Sequence, residues 1–255
     1  MPLMKPLPDN DLTNTPDLAT RLALASEPVP AAIGGPSLLR LLAEAQVVME
    51  PMRRLSRNLD IALADHPRKV MLLPGFGTHP IRMRYMAQQL ERAGHRVKRW
   101  GLGFNFGPTP ENFEILEQRL DDLYQRYNEP VFLVGWSLGG LFARELGKRH
   151  PEKVAKVITM GSPFSGNPRA NNAWRIYQFV TGHSVDSPPV AGDTATKPPV
   201  PTTALWSARD GIVSPRSACG KPGERDRAVA LRCTHLGFAY SEESIRAVLR
   251  ELEDV

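Results

Sequence analysis

Only two of the 255 residues are cysteines, Cys219 and Cys233. Two are too few for a disulfide framework and lack metal-type spacing. They can form one bridge in an oxidising compartment; in cytoplasm they are thiols, which is the state expected here. Long apolar runs are missing as well. No stretch approaches the roughly 18 apolar residues of a membrane span, so the chain does not read as an integral membrane protein. The opening "MPLMKPLPDNDLTNTPDL" puts prolines and acids where a secretory signal has an uninterrupted apolar core, which points to a cytoplasmic protein. There is no internal repeat and no nucleic-acid motif. The balance of 32 basic to 27 acidic residues, a net charge of +5, reads as scattered surface arginine around "ERAGHRVKRW" and not as a nucleic-acid site.

What is present is an ordinary globular composition, 42% hydrophobic and 23% charged, in a chain long enough to bury a substantial core as one unit. Residues 1–35 are rich in proline and small polar residues and read as a flexible arm ahead of a domain over 36–255. From Pro36 the pattern changes: Leu38, Leu41, Leu42, Ala45, Val48 and Met49 recur at helical spacing up to a break at Pro51. Such a stripe implies packing against the domain, with peripheral membrane contact as the alternative use.

Beyond it, the apolar runs "KVMLLPG", "HRVKRWGLG", "PVFLVGW", "VAKVITMGS", "TTALWSA" and "AVALRC" alternate with helical patterns. Strand and helix in alternation predict an α/β fold with a mainly parallel sheet covered on both faces. One stretch breaks the rhythm. Residues 165–201 run for more than thirty residues, with Trp174 and Tyr177 at helical spacing in the first half and a proline-rich second half. A loop of that length inside a compact domain is usually functional.

The residues that can carry chemistry lie at the ends of those runs. Gly135-Trp136-Ser137-Leu138-Gly139 fits G-x-S-x-G between an expected strand and an expected helix. In that setting a serine is presented on a strained turn, and the glycines are needed because side chains two positions away would meet backbone. A serine hydroxyl is a weak nucleophile and needs a base, itself oriented by an acid. His235 in "RCTHLGF" and Asp210 in "ALWSARDGIVSP" follow strands at the right end of a parallel sheet. His183 competes for the first role; Asp186, Asp193 and Asp226 compete for the second, and Asp210 has the additional option of merely shaping its Asp-Gly turn. An oxyanion needs two amides. Leu138 is the first candidate, and Phe76 in "LLPGFGTHP" the second, with Gly77 as fallback.

Together "LLPGFGTHP", "GWSLGG", "TMGSPFSG", "SARDGIVSP" and "THLGF" resemble the matching segments of bacterial lipase- and esterase-like α/β-hydrolases. The resemblance implies an eight-stranded, mostly parallel sheet, no cofactor, and a cap after the sixth strand, here residues 165–201. One departure is Pro74-Gly75 where many lipases have His-Gly. The activity implied is that of a carboxylic ester hydrolase working through an acyl-enzyme on a small-molecule or lipid ester. Two alternatives use the same chain: an acyltransferase with the same triad, and a non-catalytic lipid- or membrane-associated binding protein. Phe104, Phe106, Trp136, Phe164, Trp174, Tyr177 and Phe238 are the candidates for lining an apolar acyl pocket, which would favour medium or long chains. Oligomeric state is open.

Overall fold

The computed structural model describes residues 16–28, 33–49, 59–189 and 192–254. The six apolar runs form six strands: β1 (Lys69–Leu73), β2 (Arg96–Arg99), β3 (Val131–Trp136), β4 (Val154–Met160), β5 (Thr202–Ser207) and β6 (Arg227–Leu231). All pair in parallel, in the order β2-β1-β3-β4-β5-β6. Among the described residues the α-helices are α1 (Leu18–Ala25), α2 (Leu38–Ala43), α3 (Arg84–Arg92), α4 (Pro110–Tyr127), α5 (Leu138–Arg149), α6 (Trp174–Thr181), α7 (Pro215–Cys219) and α8 (Glu242–Glu253). None of them is long and apolar enough to cross a membrane.

Alternation within the strands divides the core into two layers. Val70, Leu72, Phe132 and Val134 pack with Met86 and Leu90 of α3 and with Ile245, Val248 and Leu252 of α8. Met71, Leu73 and Leu133 pack on the other side with Phe113, Leu116 and Leu120 of α4 and with Phe142 and Leu146 of α5. Each such side chain contributes about 1.5–3 kcal/mol by leaving water. The helix ends are specified locally: Thr109 caps α4 by accepting the Asn112 amide, and Ser241 caps α8 by accepting that of Ser244. Edge strand β2, "RVKR", is the polar one, which discourages pairing with another chain.

Three expectations need correction. Eight strands were implied and six are present among the described residues; ahead of β1 the described elements are helical, Leu18–Ala25, Leu38–Ala43 and Glu44–Met49. Among the described residues the 165–201 stretch follows β4, the fourth strand in sequence.

The arm over residues 1–35 is not unstructured throughout. Asp17 accepts the Thr20 amide at 2.8 Å and starts α1. This helix lies on α6. Arg21 Nη1 donates to the carbonyls of Phe179 (3.1 Å) and Val180 (2.5 Å), at the negative end of the α6 dipole, and Gln178 Nε2 donates back to the Leu24 carbonyl at 2.6 Å.

The stripe after Pro36 does not pack inward. Leu38, Leu39 and Leu42 are 75%, 79% and 70% exposed, while Glu44 is 5% exposed. The helix docks by its backbone: a Cβ on Gly211 would lie 2.2 Å from the Arg40 carbonyl oxygen, so α2 presses against the loop after β5 with no side chain between. Pro51 and the side chains of Val48 and Met49 lie outside the described residues.

Candidate active site

Because β1, β3, β5 and β6 run in parallel, the loops that leave their carboxyl ends gather along one edge of the sheet. The tightest of them joins β3 to α5. Ser137 has φ 53° and ψ −122°, a conformation that side-chain-bearing residues avoid at a cost of about 1–3 kcal/mol. The flanking glycines allow it. A Cβ on Gly135 would lie 2.4 Å from the Gly139 carbonyl oxygen, and one on Gly139 would lie 2.2 Å from that of Leu73. The Ser137 amide donates to the Met160 carbonyl at 2.8 Å, and Ser137 itself borders a cavity.

The loop after β5 carries Asp210, which is fully buried. Its two carboxylate oxygens are engaged separately. Its Oδ1 accepts the amides of Ile212 (2.8 Å) and Val213 (2.7 Å) and so shapes the Asp-Gly turn; its Oδ2 meets His235 Nδ1 at 2.8 Å. The rival acids are engaged elsewhere. Asp186 pairs with Arg169, Asp193 accepts the Thr196 hydroxyl, and Asp226 pairs with Lys197. His183 follows α6 in the 165–201 stretch, its amide donating to the Thr181 hydroxyl, and it is His235 that meets Asp210.

His235 is 3% exposed. Burial opposes its charged form, but the Asp210 carboxylate, through its charge and its hydrogen bond, outweighs that penalty, with the charge of Glu44 adding to it. The imidazole is held above the ordinary histidine range. Its loop is tied in from two sides. Trp136 Nε1 donates to the His235 carbonyl at 3.0 Å, and Ser207 Oγ donates to that of Cys233 at 2.6 Å. Cys219 and Cys233 are free, and burial pushes the Cys233 thiol well up.

At the end of β1, Gly77 donates its amide to the Asn105 carbonyl at 2.7 Å, so the fallback donor is already spent. Phe76 and Leu138 both border the cavity. Sequence reasoning missed Asn105. It is fully buried and clasps this loop, with Nδ2 donating to the Pro74 carbonyl at 2.7 Å and Oδ1 accepting the Gly107 amide at 3.1 Å. The period-two pattern of "FNF" held the signal, since it turns Asn105 inward and its two phenylalanines outward.

The cavity has a volume of about 280 Å³, near the small end of ligand pockets. Trp174 and Tyr177 of α6 line it together with Ser137, and Tyr177 packs on the Phe76 ring at 5.3 Å between centroids. Burial pushes the Tyr177 hydroxyl up to about 12, so it stays protonated at neutral pH. The other five aromatic candidates are placed elsewhere. Phe104 and Phe106 are more than half exposed and stack on each other at 5.5 Å. Trp136 belongs to the core layer, Phe164 lies under the Arg144 guanidinium, and Phe238 packs edge-on against His235. Trp136, Phe164 and Phe238 are buried rings that pack the interior, whereas Phe104 and Phe106 lie at the surface.

A parallel sheet in this order, with a strained serine after its central strand and an Asp–His pair after the two strands at one side, is the arrangement of an α/β-hydrolase fold. Residues 70–179 match the family described as alpha/beta hydrolase fold. Solved structures agree on the fold. The chain superimposes on a monoacylglycerol lipase of Paleococcus ferrophilus with a TM-score of 0.53, at 18% identity, covering 76% of this chain and 96% of that one. For the lipase BlEst2 of Bacillus licheniformis the TM-score is 0.57, at 16% identity, covering 74% and 95%. Among curated proteins, the chain is 36% identical over 104 residues to a pimeloyl-[acyl-carrier protein] methyl ester esterase of Aromatoleum aromaticum, 41% of each chain. It is 35% identical over 97 residues to the enzyme of that name from Edwardsiella ictaluri, 37% of this chain and 36% of the relative. The matches thus span about two fifths of these relatives.

Proposed function

We propose that the protein is a serine hydrolase of carboxylic esters. The observation that carries this reading is the 2.8 Å contact between His235 Nδ1 and Asp210 Oδ2 at the same sheet edge as the strained Ser137. With Nδ1 engaged by Asp210, the other ring nitrogen is the one available to take the Ser137 proton. The Ser137 oxygen attacks the ester carbonyl, His235 returns the proton to the departing alkoxide, and the acyl group rests on Ser137. The amides of Phe76 and Leu138 hold the oxyanion, in place of Gly77. Water activated by His235 then releases the acid and regenerates the serine.

The cavity walls of Phe76, Leu138, Trp174, Tyr177, Ile212 and Val213 suit an aliphatic acyl chain of medium length. The partial likeness to methyl ester esterases supports a small alcohol as the leaving group. Hydrolysis of p-nitrophenyl esters from two to sixteen carbons tests the reading. Serine-dependent turnover is expected, with Ser137→Ala and His235→Ala each abolishing nearly all of it and Asp210→Asn costing somewhat less. Full activity in Ser137→Ala sinks the proposal.

A further inference from the structure

Glu44 is a buried carboxylate that the mechanism does not use. It stands at the start of the 3₁₀ segment Glu44–Met49, ahead of β1, and its side chain reaches the loops that carry Asp210 and His235. Oε1 accepts the Gly211 amide at 2.9 Å and the His235 amide at 2.7 Å; Oε2 accepts the Leu236 amide at 2.9 Å. These three donors come from the residue after the proposed acid, from the proposed base itself, and from the residue after it. One anion therefore ties together the loop after β5 and the loop after β6.

The rest of the segment is built to hold that carboxylate in place. The α2 backbone presses on Gly211, and Asn172 Nδ2 donates to both the Pro36 carbonyl (3.0 Å) and the Gly211 carbonyl (2.7 Å). A helix that exposes its leucines and buries its glutamate has its packing organised around the acid.

We infer that Glu44 is a positioning residue of the proposed catalytic site: it fixes the Asp210 and His235 loops in register and sets part of the electrostatic field at the imidazole. The inference rests on the esterase reading for its kinetic consequence, though not for its structural one. The groups that face His235 are Asp210 from the loop after β5, Glu44 from the N-terminal segment, the rings of Trp136 and Phe238, and the neutral Cys233 thiol on its own loop. Of these only Asp210 and Glu44 carry charge, and both favour the protonated imidazole.

Glu44→Gln is the informative variant. A glutamine can offer its oxygen to one side of the Gly211–His235–Leu236 set, but its NH₂ then faces an N–H on the other, and the negative charge is gone. The expected result is a fall in kcat of about 10-fold to 10²-fold with KM within about twofold, since loosening a catalytic pair by about an ångström costs that much without touching substrate contacts. The acid limb of kcat/KM and the titration of the His235 ring followed by NMR both move to lower pH. Glu44→Asp, which keeps the charge but withdraws it by one methylene, loses kcat while its acid limb lies between those of the wild type and Glu44→Gln.

An unmoved His235 titration in Glu44→Gln overturns the inference, as does a loss confined to melting temperature with kcat intact, or failure of both variants to fold by circular dichroism, since each makes Glu44 a structural group only. The NMR titration needs no turnover. Full activity in Ser137→Ala would therefore remove the esterase reading while the His235 titration still decides whether Glu44 sets its field.

Discussion

Trp136 Nε1 donates a hydrogen bond of 3.0 Å to the carbonyl of His235, so the residue preceding the strained serine holds the backbone of the residue proposed as its base. Two loops separated by 99 positions are thereby connected through one indole, whose ring also lies 5.9 Å from the imidazole. Together with the Glu44 carboxylate, this leaves His235 gripped at both its amide and its carbonyl. The protonation of its imidazole decides whether it can act as a base.

That protonation sets the first expectation. His235 acts as a base when neutral, and its neighbours hold its pKa above the ordinary value of 6.5. The acid limb of kcat/KM should therefore fall above pH 6.5, with activity rising as pH increases through it. A pH–rate profile on a p-nitrophenyl ester checks this; a limb at or below the ordinary histidine value contradicts it.

Lys156 and Glu251 form an ion pair of 3.0 Å between β4 and α8, with both side chains nearly inaccessible to water. Removing one partner leaves the other charge buried, so Lys156→Ala should lower stability by about 3–5 kcal/mol, read by urea unfolding. Replacing both with apolar residues of similar size should cost much less.

Tyr177 and Ser137 line the same cavity. Tyr177→Ala should move the preferred acyl chain length upward, because each added methylene that gains a place is worth about 1–3 kcal/mol in selectivity. Comparing kcat/KM across the ester series reads the shift; an unchanged optimum means the acyl chain leaves the serine by another route.

Arg21 fastens α1 to the end of α6 through the carbonyls of Phe179 and Val180. Arg21→Ala should loosen this strap at a cost of about 1 kcal/mol, and limited proteolysis should then cut the 165–201 stretch faster than in the wild type. Equal cutting rates would show that the strap does not restrain it.

Much of this arrangement can be read along the chain, since it depends on local pattern. Six apolar runs specify six strands, parallel pairing follows from the helices between them, and the glycines at 135 and 139 mark a backbone turn that larger residues cannot enter. Asp210 and His235 follow their strands at the same end for the same reason.

What no local pattern reports is which long-range partner a group meets. The stripe of Leu38, Leu41 and Leu42 has the periodicity of a packed helix, yet Gly211 admits the α2 backbone so closely that the leucines face water and Glu44 goes inside. The phenylalanines at 104 and 106 look like pocket residues, and the asparagine between them is the one buried. Periodicity names the face of an element, while three amides from two distant loops, converging on one carboxylate, decide which side chain that face must bury.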